Sequence, residues 1–289
     1  MLGREEVLSS KRVFFEIQVT VQWLIKMFNL AMIKKVKMSD FIQSNVVNGV
    51  QTIRLNRASK KNAITLDMYQ GLTQSLEEGE SNKDILVTVI HGEGADFSSG
   101  NDIAEFVQIA QQPDKMSTIM AFLRTLSQYP KPLFAAVEGR AVGIGATMLL
   151  HCDMVFAARN SSLCFPFVKL GVVPEAAVSY LLPSLAGHQL SFEKLILGEP
   201  FDAEEAHSIG MINHLCEDDE AFALAMKYAE KTAKLPPEAV LLSKSLLKQR
   251  FQDEVQMTLM REGRIFKDRL QSKEAHNAFK RFLSRPKVG

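Results

Sequence analysis

The residues best equipped for chemistry fall in three short segments: Phe97-Ser98-Ser99-Gly100-Asn101-Asp102, the glycine-spaced run from Gly139 to Gly145, and Pro174-Glu175. In the first two, small residues leave backbone N–H groups open to a ligand oxygen; the third supplies one carboxylate. When a proton leaves a carbon beside a carbonyl, negative charge grows on the carbonyl oxygen. Two fixed donors there stabilise the transition state more than the ground state, and losing one typically costs about 2.7 to 4 kcal/mol. Turns at Ser99-Gly100 and Val142-Gly143-Ile144-Gly145 suit that task, and the second opens a helix whose positive end adds to the effect. Glu175 is flanked by Val172, Val173, Ala176, Ala177 and Val178. Poor solvation there would raise its pKa from about 4.3 toward 6 or 7 and make it a better base. Together the three segments point to enolate formation.

Each segment also has a plainer reading. Glycines between strand and helix often serve backbone geometry alone, and an acid in a first helical turn complements the dipole. Competing chemistries find less support. There is no Gly-x-x-x-x-Gly-Lys-Ser/Thr loop, and the segment from 143 to 148 lacks the third glycine of a dinucleotide fingerprint. The six histidines (91, 151, 188, 207, 214 and 276) show no metal-binding spacing. Ser98 and Ser99 lack a nucleophile elbow. Asp102 reads as a helix cap, Asp153 as a polar partner at a helix end, and Ser243 to Lys248 as a solvated face.

The 289 residues can bury a substantial core. Thirty-four basic and 33 acidic side chains leave a net charge of +1, too little to hold a nucleic acid. Cys152, Cys164 and Cys216 form no Cys-x-x-Cys pair, which suggests neither a disulfide framework nor a zinc knuckle and fits a reducing compartment. Residues 1–37 differ from the rest. From Phe14 to Ile33 they are rich in large apolar residues but interrupted by Glu16 and Lys26, which argues against a membrane span. Three readings apply: a targeting leader, an amphipathic arm, or an extension ahead of a start at Met38.

The elements that must position the three segments are legible in outline. Phe41 to Val47 and Val50 to Leu55, joined by Asn48-Gly49, predict an antiparallel hairpin. A helix is expected from Thr65 to Gly79, and a buried strand at Ile85 to Ile90. Asp102-Ile-Ala-Glu105 matches a capping box. A helix over Met116 to Ser127, a strand at Leu133 to Val137, a helix over Ala146 to His151 and a strand at Met154 to Ala158 follow. Glu175 is expected where a helix begins. After a second capping box at Asp202 to Glu205 come four helices: Ala221 to Lys234, Glu238 to Gln249, Val255 to Leu270 and Glu274 to Leu283. This is an α/β body with a helical C-terminal part packed on it.

With these motifs in place, the chain resembles the crotonase superfamily, the enoyl-CoA hydratases and isomerases, from about Ser39 to Lys287. The resemblance is carried by Leu55-Asn56-Arg57, Lys61-Asn62-Ala63-Ile64, Phe97 to Asp102, Lys131-Pro132 with Gly139 to Gly145, Cys152-Asp153, Leu170 to Glu175, and Ala206 to Gly210 with Ile212. The two glutamates that hydratases use correspond here to Thr147 and Phe167. Pro174-Glu175 with Ser179-Tyr180 is similar instead to the peroxisomal type of Δ3,Δ2-enoyl-CoA isomerase, which has a single catalytic glutamate at that point, and Ser-Ser-Gly-Asn-Asp is typical of that branch.

The resemblance implies a ββα spiral core over residues 38–205, with a helical trimerisation region over 206–289. It further implies Glu175 as the base, the amides of Ser99 and Ile144 as the oxyanion hole, and CoA held near Lys61, Ala63, Ile64, Gly100, Asn101, Asp102 and Gly143. No cofactor is expected beyond the CoA of the substrate. The implied assembly is a homotrimer or dimer of trimers, with the segment from Ala278 to Pro286 placed to reach a neighbour's CoA. Glu138 departs from the asparagine often found before the glycine turn, and Lys287-Val288-Gly289 is not a peroxisomal signal. A cytoplasmic location is the economical expectation, a mitochondrial or peroxisomal one the alternative. Other enolate chemistry, hydration included, and a non-catalytic acyl-CoA-binding domain are the competing functions.

Overall fold

The computed structural model describes residues 39–110 and 115–284; the expected leader over residues 1–37 and the end of the C-terminal segment, Arg285 and Pro286, lie outside them. The fold begins with the hairpin that Asn48-Gly49 dictates. Strands β1 (Ile42–Val47) and β2 (Val50–Leu55) pair antiparallel with Val47 opposite Val50. Asn48 and Gly49 both take positive φ, +51° and +80°, the tight-turn geometry that those residue types favour.

Helix α1 (Leu66–Ser81) is capped by the Thr65 hydroxyl, which accepts from the Met68 N–H. It buries Met68, Tyr69, Leu72 and Leu76. From there the chain alternates buried strands with helices. Strand β3 (Val87–Gly92) leads to α2 (Ile103–Ala110) and α3 (Met116–Gln128), and β4 (Leu133–Val137) leads through β5 (Arg140–Val142) into the short helix α4 (Ile144–Thr147). Next come β6 (Met154–Ala158) and β7 (Ser162–Cys164), then α5 (Val178–Ala186), α6 (His188–Phe192), β8 (Phe201–Asp202), α7 (Ala203–Ser208) and β9 (His214–Cys216). The last three helices are α8 (Ala221–Ala233), α9 (Pro237–Leu270) and α10 (Lys273–Leu283).

Two sheets result. The larger has the order β1-β2-β3-β4-β6-β9 and is parallel after the first pair; the smaller, β5-β7-β8, collects the short strands that follow β4, β6 and the α6 region. Strand β4 is buried along its whole length, as expected for a parallel strand covered on both faces. The parallel strands β3, β4 and β6 thus send the chain that follows them off the same side of the larger sheet. The first two functional segments follow β3 and β4 there, while Glu175 comes later, after β7 of the smaller sheet.

Four expectations need correction. The helix expected over Ala146 to His151 starts earlier, at Ile144, and tightens into a 3-10 turn over Met148–His151. Only half of the capping box at Asp102 forms: its carboxylate accepts the amides of Ala104 and Glu105, but Glu105 reaches across to the Leu66 N–H at 3.1 Å. The two helices expected over 238–249 and 255–270 are one helix, α9, of 34 residues. The segment between them, Arg250 to Glu254, is polar but holds no glycine or proline, so nothing breaks the helix.

The fourth concerns Ser243 to Lys248. Lys244 is buried, and its ammonium donates to the Lys131 carbonyl at 2.5 Å and to Asp153 Oδ2 at 2.6 Å. Asp153 also accepts the Leu133 N–H at 2.8 Å. This pair fastens α9 to the base of β4 and β6. Replacing Lys244 by Met leaves Asp153 without its cation, and breaking a buried pair typically costs about 3 to 5 kcal/mol. Calorimetry should show a clearly lowered melting temperature; an unchanged one contradicts the role.

Candidate active site

The two glycine turns meet because their backbones pair. Ser98 N–H donates to the Arg140 carbonyl and Val142 N–H to the Ser98 carbonyl, both at 2.9 Å. Beyond that bridge Gly100 comes so near β5 that a Cβ on it would stand 2.7 Å from the Val142 oxygen. Its φ of +87° also excludes most side chains. Gly143 differs: φ is +55°, yet a Cβ there would meet nothing within 4 Å. It faces open space.

The first turn is laced to the segment from Lys61 to Asp102. Ile64 N–H donates to the Gly100 carbonyl at 2.7 Å, and Asp102 N–H to the Ile64 carbonyl at 2.9 Å. In the same ladder the Ser99 amide donates to the Lys61 carbonyl at 2.9 Å. This corrects the expected oxyanion hole, since an amide held by a carbonyl offers nothing to a ligand. The Asn101 amide has no acceptor among the described residues, and neither has that of Ile144, at the first position of α4. The open donors in the two turns therefore include Asn101 and Ile144.

A cleft of about 80 Å³ lies against these turns, walled by Ser99, Gly100, Asn101, Gly143, Phe167 and Phe266, among others. Of the other expected CoA contacts, Lys61 is exposed and Ala63 half-buried outside the cleft, while Ile64 is in the core. Asp102 is already engaged: Arg57 reaches its Oδ2 at 2.9 Å, and the Glu105 and Ala104 amides bind its other oxygen. Burial would raise its pKa, but these partners outweigh burial and hold it below the ordinary value.

Glu175 does not open a helix. It precedes two left-handed residues, Ala176 (φ +61°) and Ala177 (φ +57°), and α5 starts only at Val178. Its side chain is buried, and Oε1 has no hydrogen-bond partner. Around it Met116, Ile119, Met120, Leu123, Leu259 and Phe266 enclose a void of about 10 Å³, about the smallest that holds one water. Phe266 walls both this void and the larger cleft. Burial, and next the charge of Glu262, push Glu175 up to about 8.

Sequence reasoning missed three neighbours. Tyr69, on α1, donates to the Asn101 side-chain oxygen at 2.7 Å, and its ionisation is raised first by burial and then by Glu175. His151 Nε2 lies 2.8 Å from the Ala176 carbonyl, and burial pushes it down to about 4. Glu262 sits on the α9 stripe Val255, Leu259, Phe266, all buried. An acid at that spacing within an apolar stripe was the available signal. The two hydratase positions carry no acid: Thr147 is fully buried, and Phe167 lines the cleft.

Comparison with known proteins agrees with this architecture. The family described as Enoyl-CoA hydratase/isomerase matches residues 45–288. The chain belongs to that family, and its α/β spiral with a helical C-terminal region is the crotonase fold. A curated relative is enoyl-CoA delta isomerase 2 of Rattus norvegicus, 33% identical over 246 residues, which cover 83% of this chain and 63% of the rat protein. The chain thus spans less than two thirds of that relative's length. The 1,2-epoxyphenylacetyl-CoA isomerase of Escherichia coli is 33% identical over 205 residues, covering 69% of this chain and 78% of that one. A solved structure of Pseudomonas aeruginosa OdaA superimposes with a TM-score of 0.82 at 40% identity, covering 86% of this chain and all of that one. Proteins named as hydratases are also among the relatives.

The buried acid has a thermodynamic signature. Its folded pKa of about 8 lies above the ordinary 4.5, so its neutral form is the one the fold favours. That contribution is complete below pH 4.5 and is lost as pH rises through 8. Glu175→Gln should therefore melt higher than the unsubstituted protein above pH 8, with the gap narrowing as pH falls from 8 to 4.5 and level below that. A gap independent of pH in thermal scans would contradict the burial of a titrating carboxyl.

Proposed function

We propose that the protein isomerises 3-enoyl-CoA to 2-trans-enoyl-CoA with Glu175 as its single proton shuttle. The observation that carries this reading is a buried carboxyl without a hydrogen-bond partner that shares the wall Phe266 with a cleft lined by both glycine turns. Ionised Glu175 takes a proton from C2 of the 3-enoyl thioester. The C2–H electron pair becomes the C1–C2 double bond of a dienolate that keeps C3=C4, as the carbonyl pair moves onto oxygen. Amides at Asn101 and Ile144 hold that oxygen. Glu175 then returns the proton to C4, and the carbonyl re-forms. Because the reaction only relocates a proton, it requires no electron acceptor and no cofactor beyond the substrate's own CoA.

Absence of the two hydratase acids favours isomerisation over hydration, because hydration must activate a water and also protonate a carbon. The isomerase names of several relatives point the same way. Assembly into a trimer, as the resemblance implies, would cover Leu242, Leu246 and Leu247, which α9 leaves exposed.

Two measurements test the reading. Glu175→Gln should lose roughly 100-fold or more in turnover of 3-enoyl-CoA while acyl-CoA binding, followed by calorimetric titration, is largely kept. An unaltered rate, or hydration of 2-enoyl-CoA faster than isomerisation of 3-enoyl-CoA, contradicts it. Since the base acts only when ionised, kcat/KM should climb as pH rises through about 8 and then level. A profile that is flat from pH 6 upward, or roughly so, would remove Glu175 from the role.

A further inference from the structure

The isomerase reading leaves one buried acid unused. Glu262 Oε2 accepts the Ala177 N–H at 2.6 Å; Oε1 accepts the Ser179 N–H at 3.0 Å and also the Ser179 hydroxyl. These donors stand at the start of α5, where Ala177 at the cap position has no capping side chain of its own. An acid more than 80 positions away supplies the cap.

The backbone it grips is strained. Ala176 and Ala177 are successive left-handed residues, a conformation costly to any residue with a Cβ. Such strain persists only where the surroundings over-determine it. Here Glu262 holds the Ala177 amide, and His151 holds the Ala176 carbonyl. Glu175 is the residue immediately before them, so the direction of its side chain is set by this turn.

The charges divide accordingly. Both oxygens of Glu262 accept N–H groups, an arrangement that suits an ionised carboxylate. Glu175 has a buried oxygen with no donor, which suits the neutral acid. From α3 only apolar side chains (Met116, Ile119, Met120 and Leu123) face Glu175. Tyr69 on α1 is neutral at ordinary pH, and His151 is neutral above about pH 4. Among the described residues Glu262 is the charged group that acts on Glu175.

We propose that Glu262 is the positioning residue of this site: it locks the left-handed Ala176–Ala177 turn that aims Glu175, and it holds the one negative charge that the buried pair carries in the empty protein. The proposal rests on Glu175 being the base. Burial raises both carboxyls, but the hydrogen bonds from Ser179 and Ala177 pull Glu262 back down, and Glu175 has no such donors.

The test follows the Glu175 carboxyl directly by infrared difference spectroscopy across pH, its protonated C=O band being identified by loss in Glu175→Gln. In Glu262→Gln the titration midpoint of that band should fall by roughly one unit, since a like charge has been removed. Turnover of 3-enoyl-CoA should fall roughly tenfold or more, with KM changed less than about threefold. An unmoved midpoint overturns the proposal. Should Glu262→Gln not fold, Ala177→Gly added to it should restore folded protein for the same titration, because glycine takes the left-handed conformation without strain. Failure of that rescue also overturns it. If the unsubstituted protein does not convert 3-enoyl-CoA, the isomerase reading fails, while the infrared titration still decides the part played by Glu262.

Discussion

A carboxyl buried without a hydrogen-bond partner is the constraint around which this site is organised. Desolvation disfavours its ionised form, so a chain that keeps Glu175 in an apolar void has a carboxyl that gives up its proton reluctantly and, once ionised, takes one up readily. The void, the strained Ala176–Ala177 turn and the cap from Glu262 are mutually dependent. Removing the cap would release the turn. Relaxing the turn would redirect the acid.

The backbone side of the site answers to a different constraint, the close approach of two turns. Gly100 passes close against the Val142 carbonyl, and the bridge between Ser98 and β5 sets the register in which the turns run side by side. Because the larger sheet is parallel after its first pair, successive strands deliver their turns to one edge. Fixed amides can therefore come from positions more than 40 residues apart without any side chain serving as donor. Such donors need no reorientation when charge appears, which is the basis of their effect.

Much of this was legible in the sequence. Asn48-Gly49 announces the hairpin, Thr65 the start of α1, and the glycine spacing of 139–145 the second turn, since each depends on local backbone chemistry. What escaped depended on distant partners. Nothing in Phe97 to Asp102 reveals that the Ser99 amide is taken by Lys61 and the Asn101 amide is open; that follows from pairing with a segment almost 40 residues earlier. Likewise Lys244 looks like a surface lysine until β4 and β6 close over it, and Glu262 becomes a cap only when α9 reaches α5. Arg250 to Glu254 misled because polarity resembles a joint, although only glycine or proline would have made one.

Phe266, Phe279 and Phe282, from the final two helices, wall the cleft. Its free space of about 80 Å³ is well below the 300 to 1,000 Å³, or roughly so, that small-molecule sites commonly offer. A ligand larger than that space would have to displace these aromatic rings to enter. Occupancy of the cleft and the packing of α9 and α10 would in that way be coupled.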